Sequence, residues 1–228
     1  FLEKAKSELE SIETADERAE ILTKELTQAE KKVYSLAEKL SERRKAAARE
    51  LSERIIKELN FLDMPQVKFS VRIDRLKEPS QNGLDDVEFL ISSNPGSPAR
   101  PLSKIASGGE ISRVMLAIKA VLANSDGIDT LIFDEIDTGV SGHAAQKIGN
   151  KLKQLSQDCQ VICVTHLAQI AAQADRHILI EKQVTDNNTY THLKTLDYDG
   201  RKQELARIIG TKVTEKTLQT ADEMLSIS

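Results

Sequence analysis

The sequence predicts an α/β domain entered through one long helix. Three observations predict it. The first sixty residues hold no glycine or proline and space their apolar positions by threes and fours. Beyond Asn60 the period switches to strand-like alternation. Short apolar runs then end in acidic or histidine residues and are separated by helical stretches.

The N-terminal helix is justified by its stripe: Leu2, Ala5, Leu9, Ile12, Ala15, Ala19, Leu22, Leu26, Ala29, Val33, Leu36 and Leu40. The steps fit heptads with one phase break around Ile12–Ala19. Glu, Lys, Ala and Leu dominate, so local propensity agrees with the pattern. A helix over 1–60 extends roughly 90 Å at 1.5 Å per residue. Its narrow stripe and charged flanks predict a coiled-coil arm, and no second heptad segment follows in the 228 residues. The partner strand is therefore expected from elsewhere. Phe1 opens in mid-helix without a start methionine, which reads as a processed or excised segment.

Domain organisation follows as an arm over 1–60 and a globular lobe over 61–228. Val67, Phe69, Val71 and Ile73 alternate with polar residues, as do Val87, Phe89 and Ile91, giving two antiparallel strands joined by a long exposed connection over 76–85. SNPGSPARP (93–101) reads as a loop. A buried helix is expected over 111–122, a buried parallel strand over 130–135 and a helix over 141–157. A second buried strand over 160–165 ends at His166, with a short helix at 167–173 and a strand at 177–181. An antiparallel edge strand at 189–196 precedes two helices, 201–209 and 214–226.

Composition narrows the function classes. Charged residues make up 30% of the chain, yet the formal net charge is -4, and 13 of 32 basic and 14 of 36 acidic residues fall in the first sixty. No globally basic nucleic-acid module is indicated. Aromatic residues are 4% with no tryptophan, which gives no sign of base stacking. Cys159 and Cys163 lack the second pair a zinc pattern needs and read as core thiols of a cytosolic protein. There is no run of 18 apolar residues for a membrane span.

Three features carry chemistry. Asp134 and Glu135 follow four apolar strand residues, where two carboxylates need an exposed rim or a cation. Successive strand residues face opposite ways, so the two acids are free to do different jobs. Ser107, Gly108 and Gly109 precede the apolar helix, and glycines at a helix N-terminus let backbone N–H groups approach an anion. His166 ends its strand within reach of a terminal phosphate on the same rim. Any one of these is an ordinary structural feature; their order is not.

ASGGE (106–110), LIFDE (131–135), IDTGVSG (136–142) and His166 in this order resemble the signature, Walker B, D-loop and switch histidine of an ABC-type ATPase head. With the arm they resemble the SMC-like class of P-loop NTPases, in its C-terminal lobe. LSKIASGGEISRVMLAIK (102–119), IFDEIDTGVSG (132–142) and VTHLAQIAAQAD (164–175) are similar to the RecN family of bacterial DNA repair proteins, as is KVTEKTLQTADEML (212–225). Ala106 stands where chromosome-structural relatives carry leucine. Gly139 and Gly142 also depart from the transporter D-loop.

The resemblance implies a DNA clamp for double-strand break repair and recombination, using ATP and Mg²⁺. Asp134 would position the metal through water, Glu135 would polarise the hydrolytic water and His166 would sense the γ-phosphate. Ser107, Gly108 and Gly109 would contact ATP held by an opposing head, and Asp137 would couple the two sites at the dimer seam. No GxxxxGK[ST] occurs in the sequence. The resemblance puts Walker A in an N-terminal half of the same protein, so this segment alone is expected to be inactive. Implied partners are that half, a second head and DNA, in the cytoplasm at the nucleoid, with no membrane. A Rad50-like or chromosome-structural head is the nearest rival, told apart by a CxxC hook or a globular hinge at the coiled-coil tip. A non-hydrolysing scaffold is the rival from another class.

Overall fold

The computed structural model describes residues 2–105, 107–122, 127–185, 188–210 and 212–227. The uninterrupted helical pattern forms one helix, α1 (Leu2–Phe61). Two compact units follow, one made of 1–52 with 70–89 and the other of 53–69 with 90–228.

In the first unit, β1 (Lys68–Ser80) and β2 (Gly83–Ser92) contribute most of their length. The expected long connection over 76–85 is a two-residue turn, because both strands continue through polar residues that apolar alternation does not reveal. Ser80 Oγ closes the turn by donating to Gly83 O and accepting from Asn82 N–H. Gly83 has φ +95, a left-handed backbone that glycine adopts without strain. The hairpin covers the α1 face that carries Ala37 and Ser41, both buried. Buried Asp85 accepts a 2.7 Å hydrogen bond from Ser41 Oγ and a 3.1 Å bond from Arg44 Nη1. Along the heptad stripe Leu22, Leu26, Val33, Leu36 and Leu40 are all exposed, and Leu40 also borders the hairpin, its Cδ2 3.2 Å from where a β-carbon on Gly83 would be.

The second unit begins with the last turns of α1. Ile55, Leu59 and Leu62 are fully buried, and Glu58 pairs with the largely buried Lys151 at 2.7 Å. Lys151 also stands 4.9 Å from the Phe61 ring centroid. A short strand, β3 (Arg100–Pro101), pairs antiparallel with the end of β2, so the predicted loop at 93–101 closes back on the sheet. Helix α2 (Gly108–Leu122) buries Gly109, Arg113, Val114, Leu116, Ala117 and Ile118.

Strand β4 (Thr130–Phe133), helix α3 (Gly142–Leu155) and strand β5 (Gln160–Cys163) form a βαβ unit. Its strands pair in parallel from Thr130↔Gln160 to Phe133↔Cys163. Both were expected to be buried. Phe133 is, but Ile132 is 70% exposed and its cross-strand neighbour Ile162 is exposed too. Among the described residues this sheet has two strands, and nothing covers the face that carries these two isoleucines. Helix α4 (Ala168–Ala171) leads to the antiparallel pair β6 (Ile178–Thr185) and β7 (Asn188–Thr195). Helices α5 (Tyr198–Ile209) and α6 (Glu215–Ile227) pack with α4 through Ala168, Ala171, Ala172, Leu205, Ala206 and Ala221.

Candidate functional site

Parallel pairing fixes the site. Strands β4 and β5 finish level at Phe133 and Cys163, and Val164 N–H still donates to Phe133 O at 2.9 Å. Asp134, Glu135 and His166 therefore leave the sheet on one rim, as the strand ends predict.

The chain turns sharply there. Glu135 N–H donates to Asp134 Oδ1 at 2.8 Å, and Thr138 N–H to Glu135 O at 3.1 Å. Glu135 has φ +56, a left-handed conformation that costs a non-glycine residue roughly 1–2 kcal/mol. Asp134 and Glu135 are exposed, whereas Ile136 and Asp137 are buried.

Helix α2 starts against this turn. A β-carbon at Gly108 would stand 2.0 Å from Glu135 Oε2, so the carboxylate lies over the Gly108 α-carbon. A β-carbon at Gly109 would stand 2.9 Å from both Cβ and the carbonyl oxygen of Thr138. The glycine pair thus permits close approach to the chain's own turn. Ser107 is exposed; its Oγ accepts a 3.4 Å bond from Glu110 N–H, and its carbonyl accepts from Ile111 N–H. Ala106, the first residue of the signature, lies outside the described residues.

Asp137 is 3% exposed. Its Oδ2 accepts from Thr165 Oγ1 at 2.6 Å and from His166 N–H at 2.8 Å, and lies 3.0 Å from His166 Nδ1. The His166 side chain is 74% exposed. In this arrangement Asp137 is engaged by its own chain. Beneath the rim, burial first, then the Asp137 and Asp134 carboxylates, push the Cys163 thiol up to about 12.

Two residues that sequence reasoning passed over hold the turn. Ser112 Oγ donates to Asp134 O at 2.8 Å. Arg113 Nη1 donates to Ile136 O at 3.2 Å and Thr138 O at 2.8 Å. The available signal was a guanidinium four residues after Gly109, on the stripe that also holds Leu116 and Ala117. An arginine on an apolar stripe needs acceptors.

No family model matches the sequence. The DNA repair protein RecN of Halalkalibacterium halodurans is 40% identical over 226 residues, covering 97% of this chain and 40% of that protein. RecN of Bacillus subtilis is 40% identical over 241 residues, covering 99% and 42%. RecN of Rickettsia conorii is 41% identical over 228 residues, covering 100% and 42%. Over nearly its whole length this chain resembles RecN. It spans about two fifths of the length of these RecN relatives. A crystal structure of an Smc head domain with a coiled coil and joint from Pyrococcus yayanosii matches with TM-score 0.52 at 18% identity, covering 73% of this chain and 30% of that one. The α/β fold is thus that of an Smc head. No helix among the described residues is long and apolar enough to cross a membrane.

Proposed function

We propose that this chain is the C-terminal head segment of an ATP-binding and ATP-hydrolysing DNA clamp that acts in double-strand break repair. The observation that carries the reading is the common rim: Asp134, Glu135 and His166 at the ends of two parallel strands, with the α2 N-terminus against Glu135. Resemblance to RecN over nearly the whole chain supplies the pathway.

Bound ATP with Mg²⁺ would supply the phosphoryl group that is transferred to water. The donor set suits a phosphate-bound Mg²⁺: Asp134 is exposed, and its Oδ1 meets Glu135 N–H. Such an ion takes one or two carboxylates and completes its shell with phosphates and water. Glu135 would accept a hydrogen bond from the attacking water. His166 would present Nε2 to the γ-phosphate, since Nδ1 faces Asp137. Ser107 and the Gly108 and Gly109 amides would meet ATP held by a second head, and Asp137 would link that seam to His166. Walker A would come from an N-terminal half of the same protein, joined through α1 as one strand of a coiled coil, with the exposed Leu22–Leu40 stripe as its seam. The segment alone would be inactive, and the whole protein would work at the nucleoid.

The test mixes this chain with its N-terminal half and measures DNA-stimulated ATP hydrolysis. Activity is expected only in the mixture. Glu135→Gln should lower it on the order of 10²-fold while keeping ATP-dependent head dimerisation. A folded, nucleotide-loaded mixture without hydrolysis would favour the scaffold instead.

A further inference from the structure

Arg113 sits on the buried face of α2, 8% exposed. Its Nη1 reaches the carbonyls of Ile136 and Thr138, and its Nε has no hydrogen-bond partner among the described residues. The neighbouring Ser112 holds the carbonyl of Asp134. Two consecutive side chains of one helix thus hold three alternating carbonyls, those of residues 134, 136 and 138. Between the first two of them stands Glu135, left-handed at φ +56.

Such an arrangement is expensive. Burial holds the Arg113 guanidinium below its ordinary range, with Glu110 opposing that shift only through its charge. A buried cation bonded to neutral carbonyls recovers less than one facing a carboxylate. A core built for stability alone would carry an aliphatic residue here, as Leu116 and Ala117 do one turn on. The geometry gives the cation a different use. A guanidinium is a rigid fork with fixed donor directions, whereas a lysine is a single point charge on a flexible stem. Holding the carbonyls on both sides of Asp137 leaves the backbone at Glu135 little freedom to leave its strained conformation. It also makes the first turns of α2 and the turn after β4 one body, so that displacement of Gly108 or Gly109 must move the Glu135 carboxylate.

We infer that Arg113, assisted by Ser112, is a positioning residue: it locks the 134–138 turn to the start of α2 and so sets where the Glu135 carboxylate stands. The inference rests on the ATPase reading given above and adds to it a route, within one chain, from the serine–glycine segment to the acid.

The experiment compares wild type, Arg113→Lys and Ser112→Ala in the mixture of this chain with its N-terminal half. It reads kcat and KM for ATP, the melting temperature, and hydrogen–deuterium exchange of the 134–141 amides. Arg113→Lys is expected to lower kcat by about 10- to 100-fold with KM within about threefold, the signature of a misplaced group and not of lost binding. Exchange over 134–141 should rise while α3 stays protected. Ser112→Ala removes one exposed hydroxyl and keeps the buried face, so it serves if Arg113→Lys fails to fold. It is expected to act in the same direction by a few-fold. A lower melting temperature with wild-type kcat, KM and 134–141 exchange in both variants would overturn the positioning role. Wild type that is folded and loaded yet hydrolyses nothing would instead overturn the ATPase reading.

Discussion

The carboxylate of Glu135 lies over the α-carbon of Gly108, with Oε2 2.0 Å from where a β-carbon would be. The neighbouring Gly109 faces the Thr138 carbonyl and the Arg113 guanidinium at 2.9 and 3.1 Å from its own missing β-carbon. The two glycines meet different kinds of obstacle. At 108 the obstacle is the far end of a side chain that is free to rotate away. At 109 it is backbone and a buried arginine.

Gly108→Ala should therefore fold with a melting temperature close to wild type, the better helix former offsetting the displaced side chain. Gly109→Ala should lose about 1–3 kcal/mol by overpacking. Urea unfolding of both variants checks the order. Equal stability for the two would show that the 135–138 turn yields freely.

Glu135 carries backbone strain at φ +56. Glu135→Gly should stabilise the folded chain by about 1 kcal/mol through relief of the left-handed penalty, less the entropy glycine adds to the unfolded state. Glu135→Ala keeps the penalty and serves as the reference. A glycine variant no more stable than the alanine variant would mean that the turn relaxes to another conformation.

Much of this was legible in the sequence, and the parts that were not share a cause. Helix α1, the βαβ unit and the rim of Asp134, Glu135 and His166 follow from apolar periodicity and from which residue ends each strand. Periodicity counts apolar residues and is blind to polar groups that pack. The hairpin turn was hidden because Asp85, a polar residue, is buried there, bonded to Ser41 and Arg44. Arg113 was hidden for the same reason: it takes an apolar position on α2 and bonds to carbonyls some twenty residues away. Exposure of Ile132 was illegible because an apolar strand residue says nothing about what covers it.

Cys163 offers a pH test of the rim. Folding raises its thiol from an ordinary value of 9.0 to about 12, chiefly by burial. A raised pKa means that the folded state holds the proton more tightly. The associated stability is fully present below the unfolded value and is lost as pH rises from about 9 towards 12. In a Cys159→Ser background, iodoacetamide at about pH 8 should alkylate the folded chain on the order of 10² to 10³ times more slowly than the urea-unfolded chain. Comparable rates would mean that the thiol is not held in an apolar, carboxylate-facing site.

Asp137 and His166 make the last prediction. Nδ1 of His166 stands 3.0 Å from a carboxylate oxygen that already accepts two hydrogen bonds, a distance that favours a proton on that nitrogen over a lone pair. A proton on Nδ1 leaves Nε2 as the other ring position, and donation from Nε2 to a γ-phosphate oxygen, as proposed above, requires a proton there as well; the partner at one nitrogen thus bears on the state of the other. The nitrogen-15 shifts of His166 should report a protonated Nδ1. Asp137→Ala should move the ring towards the Nε2–H form. Thr165→Val, which removes one donor but keeps the carboxylate, should leave the tautomer in place. A wild-type ring without a proton on Nδ1 would remove the imidazole–carboxylate contact and leave Asp137 as a cap on Thr165 and the His166 backbone alone.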